Sequence, residues 1–178
     1  LFNPASIANS IARLQSKTPF VTEDVVPRNT NPVYNPEKYI DEGYTSFFHH
    51  GSFKKESPEE FLKNANTSLC RASENFEKAK WVIITFGTSW VYRHIEKDII
   101  VSNCHKHPAK EFRREFLSIE EIVNLYTPLI AANPDKRWIF TVSPIRHIKD
   151  GLHENQLSKA TLLLAIDSLC KKFDNCSR

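Results

Sequence analysis

The chain has 178 residues, 40% of them hydrophobic and 25% charged, with a formal net charge of +3, ten Pro, four Gly and no Met. The absence of Met excludes a complete translation product and reads as a processed chain or an excised segment. Average usage would give about a dozen glycines, and Gly43, Gly51, Gly87 and Gly151 lie too far apart for a Walker loop or a dinucleotide fingerprint, which excludes nucleotide hydrolysis and hydride transfer through those motifs.

The charge is too small for a nucleic-acid partner, which needs a concentrated basic stripe. The densest basic run, Lys106–Arg114, is interrupted by Glu111 and reads as a solvated helix face. The longest apolar runs, Trp81–Phe86 and Leu162–Ile166, fall far below membrane-spanning length. No signal peptide opens the chain. Cys70, Cys104, Cys170 and Cys176 form no CxxC pair. They read as free thiols in a reducing compartment, hence a cytoplasmic location, with a Cys170–Cys176 bridge as the alternative.

In chain order, Asn3-Pro4 starts a helix to about Gln15, because Pro suits the first helical position. Residues 18–57 are rich in Pro, Asn and aromatics and lack periodicity, so they read as an irregular insertion wrapping a site. Ser57-Pro58-Glu59-Glu60 is a capping box that opens a helix whose apolar face includes Phe61, Ala65, Leu69 and Phe76. Trp81–Phe86 is apolar on both faces, as in a buried parallel strand. Val91–His94 and Asp98–Val101 pattern as a short hairpin. Ser118 and Glu121 form a second capping box, opening a helix to about Ala131 that Asn133-Pro134 ends. Trp138–Val142 is a second buried strand, and a last helix spans about Asn155 to Phe173, with Leu157, Leu164 and Leu169 as core candidates. This order predicts an α/β layered fold in which strands 81–86 and 138–142 are parallel.

Ligands in such sheets collect beyond the carboxyl ends of the strands. Those ends are Gly87-Thr88-Ser89 and Ser143-Pro144-Ile145-Arg146-His147. The first can present backbone N–H groups to a substrate oxygen, or it is a plain strand-exit turn. Asn103-Cys104-His105-Lys106 offers an amide, a thiol, an imidazole and an ammonium; a loop of scattered polar residues is the competing reading. Arg146 suits a carboxylate or phosphate, or an ion pair with Asp150 or Glu154. His153 and Asn155 follow the Asp150-Gly151 turn. His49, His50, Cys104, His105 and His107 show no HxxxH or CxxC spacing, so no metal is assigned. No GxSxG elbow occurs, and nothing in the spacing favours Ser89 as a nucleophile.

The segments Asn3-Pro4-Ala5-Ser6-Ile7, Ser46-Phe47-Phe48-His49-His50-Gly51-Ser52-Phe53, Ile84-Thr85-Phe86-Gly87-Thr88-Ser89-Trp90-Val91-Tyr92, Asn103-Cys104-His105-Lys106, Phe140-Thr141-Val142-Ser143-Pro144-Ile145-Arg146-His147, Asp150-Gly151 and Asn155-Gln156-Leu157-Ser158-Lys159-Ala160 together resemble the GSCFA family of bacterial proteins, related to the SGNH (GDSL-like) hydrolases. The resemblance runs over nearly the whole chain. It implies one GSCFA-type domain segment over 1–178, with a three-layer α/β/α architecture and a mainly parallel sheet, incomplete at both ends.

It also implies hydrolysis of a small-molecule or carbohydrate ester by a Ser nucleophile, without a cofactor. The family's Gly-Ser-Cys-Phe-Ala motif and the SGNH Asp-x-x-His block are not in this chain. On this reading the nucleophile, its base and the orienting acid lie outside the segment, and the segment alone is inactive. Gly87-Thr88 falls where SGNH enzymes carry a Gly-x-Asn oxyanion block, but Ser89 replaces the Asn. Gly87, Thr88 and Asn103 are therefore the oxyanion candidates. His50, Ser89, His105, Arg146, His147, His153 and Asn155 are the substrate-site candidates. The alternative is a non-catalytic carbohydrate- or peptide-binding module on the same fold.

Overall fold

Asn3 starts the first helix by accepting a hydrogen bond from the Ser6 N–H at 2.8 Å, with Pro4 in the first turn. The resulting α1 runs Pro4–Ser16. The computed structural model describes residues 3–28, 43–146 and 151–178. The short strands β1 (Val26–Pro27) and β2 (Tyr44–Thr45) pair antiparallel. Ser57 Oγ accepts from the Glu60 N–H at 3.1 Å and starts α2 (Pro58–Lys78). Then follow β3 (Trp81–Phe86), β4 (Trp90–His94), β5 (Ile99–Val101) and β6 (Phe112–Phe116). Both halves of the second capping box form: Ser118 Oγ accepts from the Glu121 N–H, and Glu121 Oε2 accepts from the Ser118 N–H. They open α3 (Ile119–Ala131). The chain closes with β7 (Arg137–Val142), α4 (Leu152–Lys172) and β8 (Cys176–Ser177).

The fold is mixed α/β, with one parallel sheet in the order β3-β7-β8. β3 and β7 run parallel from Trp81↔Arg137 to Phe86↔Val142, as the strand–helix–strand pattern predicts. The hairpin also forms, β4 pairing antiparallel with β5 from Tyr92↔Val101 to His94↔Ile99.

The residues divide into two compact units. One comprises Arg13–Phe76 and Tyr92–Arg113. Its core groups Phe20, Phe61 and Ala65, and separately Val26, Phe47 and Val101. The other comprises Phe2–Ala12, Glu77–Val91 and Arg114–Arg178 and contains the parallel sheet. There α3 packs on α4, and α4 packs on β7. Phe86, Tyr126 and Phe140 form a ring triangle with centroids 5.3–5.7 Å apart. The Tyr126 hydroxyl donates to the Pro4 carbonyl at 2.9 Å, and burial keeps it protonated by raising its pKa. At the far end of the sheet, the buried Lys136 ammonium donates to the Glu77 and Ala79 carbonyls at the C-terminus of α2.

Three expectations are corrected. First, β3 is not covered on both faces. Ile84 and Phe86 are buried, whereas Trp81 and Ile83 are 60% and 67% exposed. Successive side chains alternate across a strand, and among the described residues β3 is an edge strand of its sheet. On the open side Thr85 and Thr141 hydroxyls meet at 2.8 Å across the two strands. Second, Leu169 is a core residue of α4 but Leu157 and Leu164 are exposed; Leu162, Ala165 and Ile166 fill the buried face instead. Third, Lys106–Arg114 is not a helix face. It contains a short 3-10 turn at Ala109–Glu111 and the start of β6. Arg114 there stacks on the Trp90 ring, 4.7 Å from its centroid.

All four cysteines are free thiols. Among the described residues no helix is long and apolar enough to cross a membrane.

Candidate functional site

β3 and β7 end side by side, so their exit turns are neighbours at the carboxyl end of the sheet. The Ser143 N–H closes the ladder on the Phe86 carbonyl at 2.8 Å. The second turn of α4 then clamps both exits. Ser158 Oγ accepts from the Ser89 N–H at 2.8 Å, and Ser89 Oγ donates to the Ser158 carbonyl at 3.0 Å. Both serines are buried. Thr88 Oγ1 lies 3.2 Å from Ser158 Oγ and accepts from the Trp90 N–H at 3.1 Å. Lys159 Nζ donates to the Gly87 carbonyl at 2.5 Å and the Ser143 carbonyl at 2.8 Å. Burial lowers the Lys159 pKa from the usual amine value. Among the described residues, the Gly87 and Thr88 N–H groups bond to no acceptor. Two neighbouring unengaged donors on a turn whose carbonyl and side chains are fixed make this turn a candidate anion site.

The other predicted cluster lies in the other unit. Asn103 Oδ1 accepts from the His105 N–H at 2.9 Å. This local bond supports a left-handed turn, with φ of 47° at His105 and 61° at Lys106. His105 is 3% exposed. Its Nε2 donates to the Ser46 carbonyl at 2.8 Å, since a carbonyl can only accept. Burial lowers the His105 pKa, hydrogen bonds to the Ser46 and His49 backbone oppose this, and Arg28 and His107 add to the lowering. Ser46 Oγ lies 2.7 Å from His49 Nδ1. The His49 ring packs among Phe20, Phe53 and Phe61 at 4.5–5.2 Å. Burial, then Arg13 and His105, hold His49 down at about 4 against a slight upward pull from Asp24. Ser46 is fully buried, so this serine–histidine pair offers no approach to a substrate and acts as a brace.

The remaining candidates are dispersed. His50 is exposed and caps a 3-10 turn, its Nδ1 accepting from the Ser52 N–H at 3.2 Å. Arg146 and His153 are exposed, and Asn155 is buried in the first turn of α4. His147 lies outside the described residues. Among the described residues no three His, Cys, Asp or Glu side chains gather to hold a metal.

Ser158 and Lys159 stand in the Asn155–Ala160 segment at the start of the last helix, but the sequence alone assigned them no role of their own. One signal was present: Asn155 and Ser158 are polar positions on the helix face that also carries Leu162 and Leu169, and polar groups on a buried face need partners.

The fold and the twin strand exits define an α/β protein with a candidate anion-stabilising turn at the carboxyl end of a parallel sheet. The chain belongs to the GSCFA family, whose model matches residues 1–177. Comparison with curated proteins and with solved structures gives no match to either.

Proposed function

We propose that this chain belongs to a GSCFA-type domain that hydrolyses esters in the manner of SGNH enzymes, through a Ser nucleophile that is not among residues 1–178. The observation that carries the reading is the β3 exit turn. Its Gly87 and Thr88 N–H groups have no acceptor among the described residues, while Ser158 and Lys159 hold the rest of the turn. Hydrogen-bond donors fixed beforehand stabilise the oxyanion of a tetrahedral intermediate without reorganisation. Attack by the Ser on an ester carbonyl would place the developing negative charge at these amides, a His would take the Ser proton, and an acid would orient the His.

Arg146, His153 and Asn155, which belong to the same unit as the turn, shape the substrate site, and Ser89 holds the turn. The substrate is a small-molecule or carbohydrate ester in the cytoplasm, and no cofactor takes part. The exposed Trp81 and Ile83 on the open face of β3 support a third layer covering that face, as a three-layer α/β/α architecture requires.

The test is a screen of short-acyl chromogenic esters with the full-length protein and with its variant in which the Ser of the Gly-Ser-Cys-Phe motif is Ala. The proposal expects turnover that the substitution abolishes. Equal rates with and without the motif Ser would overturn it and favour the binding module.

A further inference from the structure

We propose that Lys159 is a positioning residue that aims the Thr88 N–H into the oxyanion site and strengthens it as a donor. This rests on the hydrolase reading of the same turn.

The Gly87 carbonyl and the Thr88 N–H belong to one trans peptide plane, so they point in opposite directions. Fixing one therefore fixes the other. Lys159 Nζ holds the Gly87 carbonyl at 2.5 Å. Its second bond, to the Ser143 carbonyl at 2.8 Å, fastens the ammonium to the exit of β7. The ammonium thus ties two strand ends to α4 and cannot turn away without breaking both bonds. One residue along, Ser158 grips the Ser89 N–H and accepts nothing from Thr88 N–H. The Thr88 peptide is consequently held on its carbonyl side, while among the described residues nothing accepts from its N–H side.

The cation does more than hold. A charged donor on a peptide carbonyl polarises that peptide, and hydrogen bonds in series strengthen one another. The Thr88 N–H then meets a developing oxyanion as a better donor than an unassisted amide. The device works while Lys159 is protonated. Burial is the cause acting on its pKa, with no contribution from a charged neighbour. The lowering brings loss of the proton, and of the device, below the ordinary alkaline range of a lysine.

The experiment compares full-length wild type with Lys159→Met and Lys159→Arg, following short-acyl ester hydrolysis across pH and the Thr88 amide resonance by ¹⁵N–¹H NMR. Lys159→Met should lower kcat about 10- to 100-fold, at most the cost of one oxyanion donor, and leave KM within about twofold. Lys159→Arg, a permanent cation, should restore most of the rate and remove the alkaline fall in kcat. The Thr88 amide proton should move upfield in Lys159→Met.

Should the Met variant fail to fold, the wild type alone decides. Its Thr88 amide should titrate together with the Lys159 ¹⁵Nζ signal. An unchanged kcat, an effect confined to KM, or a Thr88 amide indifferent to both substitution and Lys159 titration would overturn the proposal. If the wild type hydrolyses no ester, the hydrolase reading falls, and the Thr88 amide alone judges Lys159.

Discussion

At the scale of the single residue, His49 titrates against the fold. Burial beside Arg13 holds it near 4 in the folded protein, against an ordinary value of 6.5. Between those values an unfolded chain takes up a proton that the folded protein refuses. Stability therefore falls as pH drops from about 6.5 towards 4, and His49 contributes no pH dependence above that window. After allowance for solvent screening the loss by pH 4.5 is about 1–2 kcal/mol. Urea denaturation at pH 7 and pH 4.5 checks this. His49→Gln should lose less stability on acidification than wild type, and identical losses would remove His49 as the cause. The neighbouring His105, also lowered chiefly by burial, steepens the wild-type slope in the same direction.

At the scale of the element, α4 carries two faces of opposite character. Leu162 and Leu169 are fully buried, while Leu163 and Leu164 are 57% and 54% exposed. Leu162→Ala should cost about 2–5 kcal/mol through lost burial and a cavity. Leu164→Ala should change stability by no more than about 0.5 kcal/mol. Chemical denaturation of the two variants gives the comparison, and equal losses would contradict the assignment of faces.

These faces also mark where reading the sequence stopped. Helix starts were legible because capping is local: Asn3, Ser57 and Ser118 each bond a backbone N–H three residues on. The buried face of α4 was not legible, because leucines at 157, 162, 163, 164 and 169 surround the helix and give no clean 3.6-residue stripe. The open face of β3 was hidden for a related reason. Trp81-Val82-Ile83-Ile84 reads equally well for a strand covered on one side or on both.

At the scale of the whole molecule, the alternation of strands and helices announced a parallel β3–β7 pair, and its carboxyl ends announced where to look for a site. The partners of that site were not legible. Ser158 meets Ser89 across 69 positions and Lys159 meets Gly87 across 72. No local pattern encodes such contacts; they follow from how α4 packs on the sheet. The Asn103–His105 turn was legible as a polar cluster, yet its role in bracing Ser46 and His49 depends on a contact 59 residues away.

The central claim is that the Gly87 and Thr88 N–H groups form the oxyanion site of an ester hydrolase. The most direct measurement is ¹⁵N–¹H NMR of the full-length protein before and after reaction with a phosphonate ester that leaves a tetrahedral adduct on the nucleophilic Ser. The account predicts that the adduct forms and that the Gly87 and Thr88 amide protons move downfield as they bond the phosphonyl oxygen. An adduct that leaves both resonances in place, or no adduct at all, would contradict it.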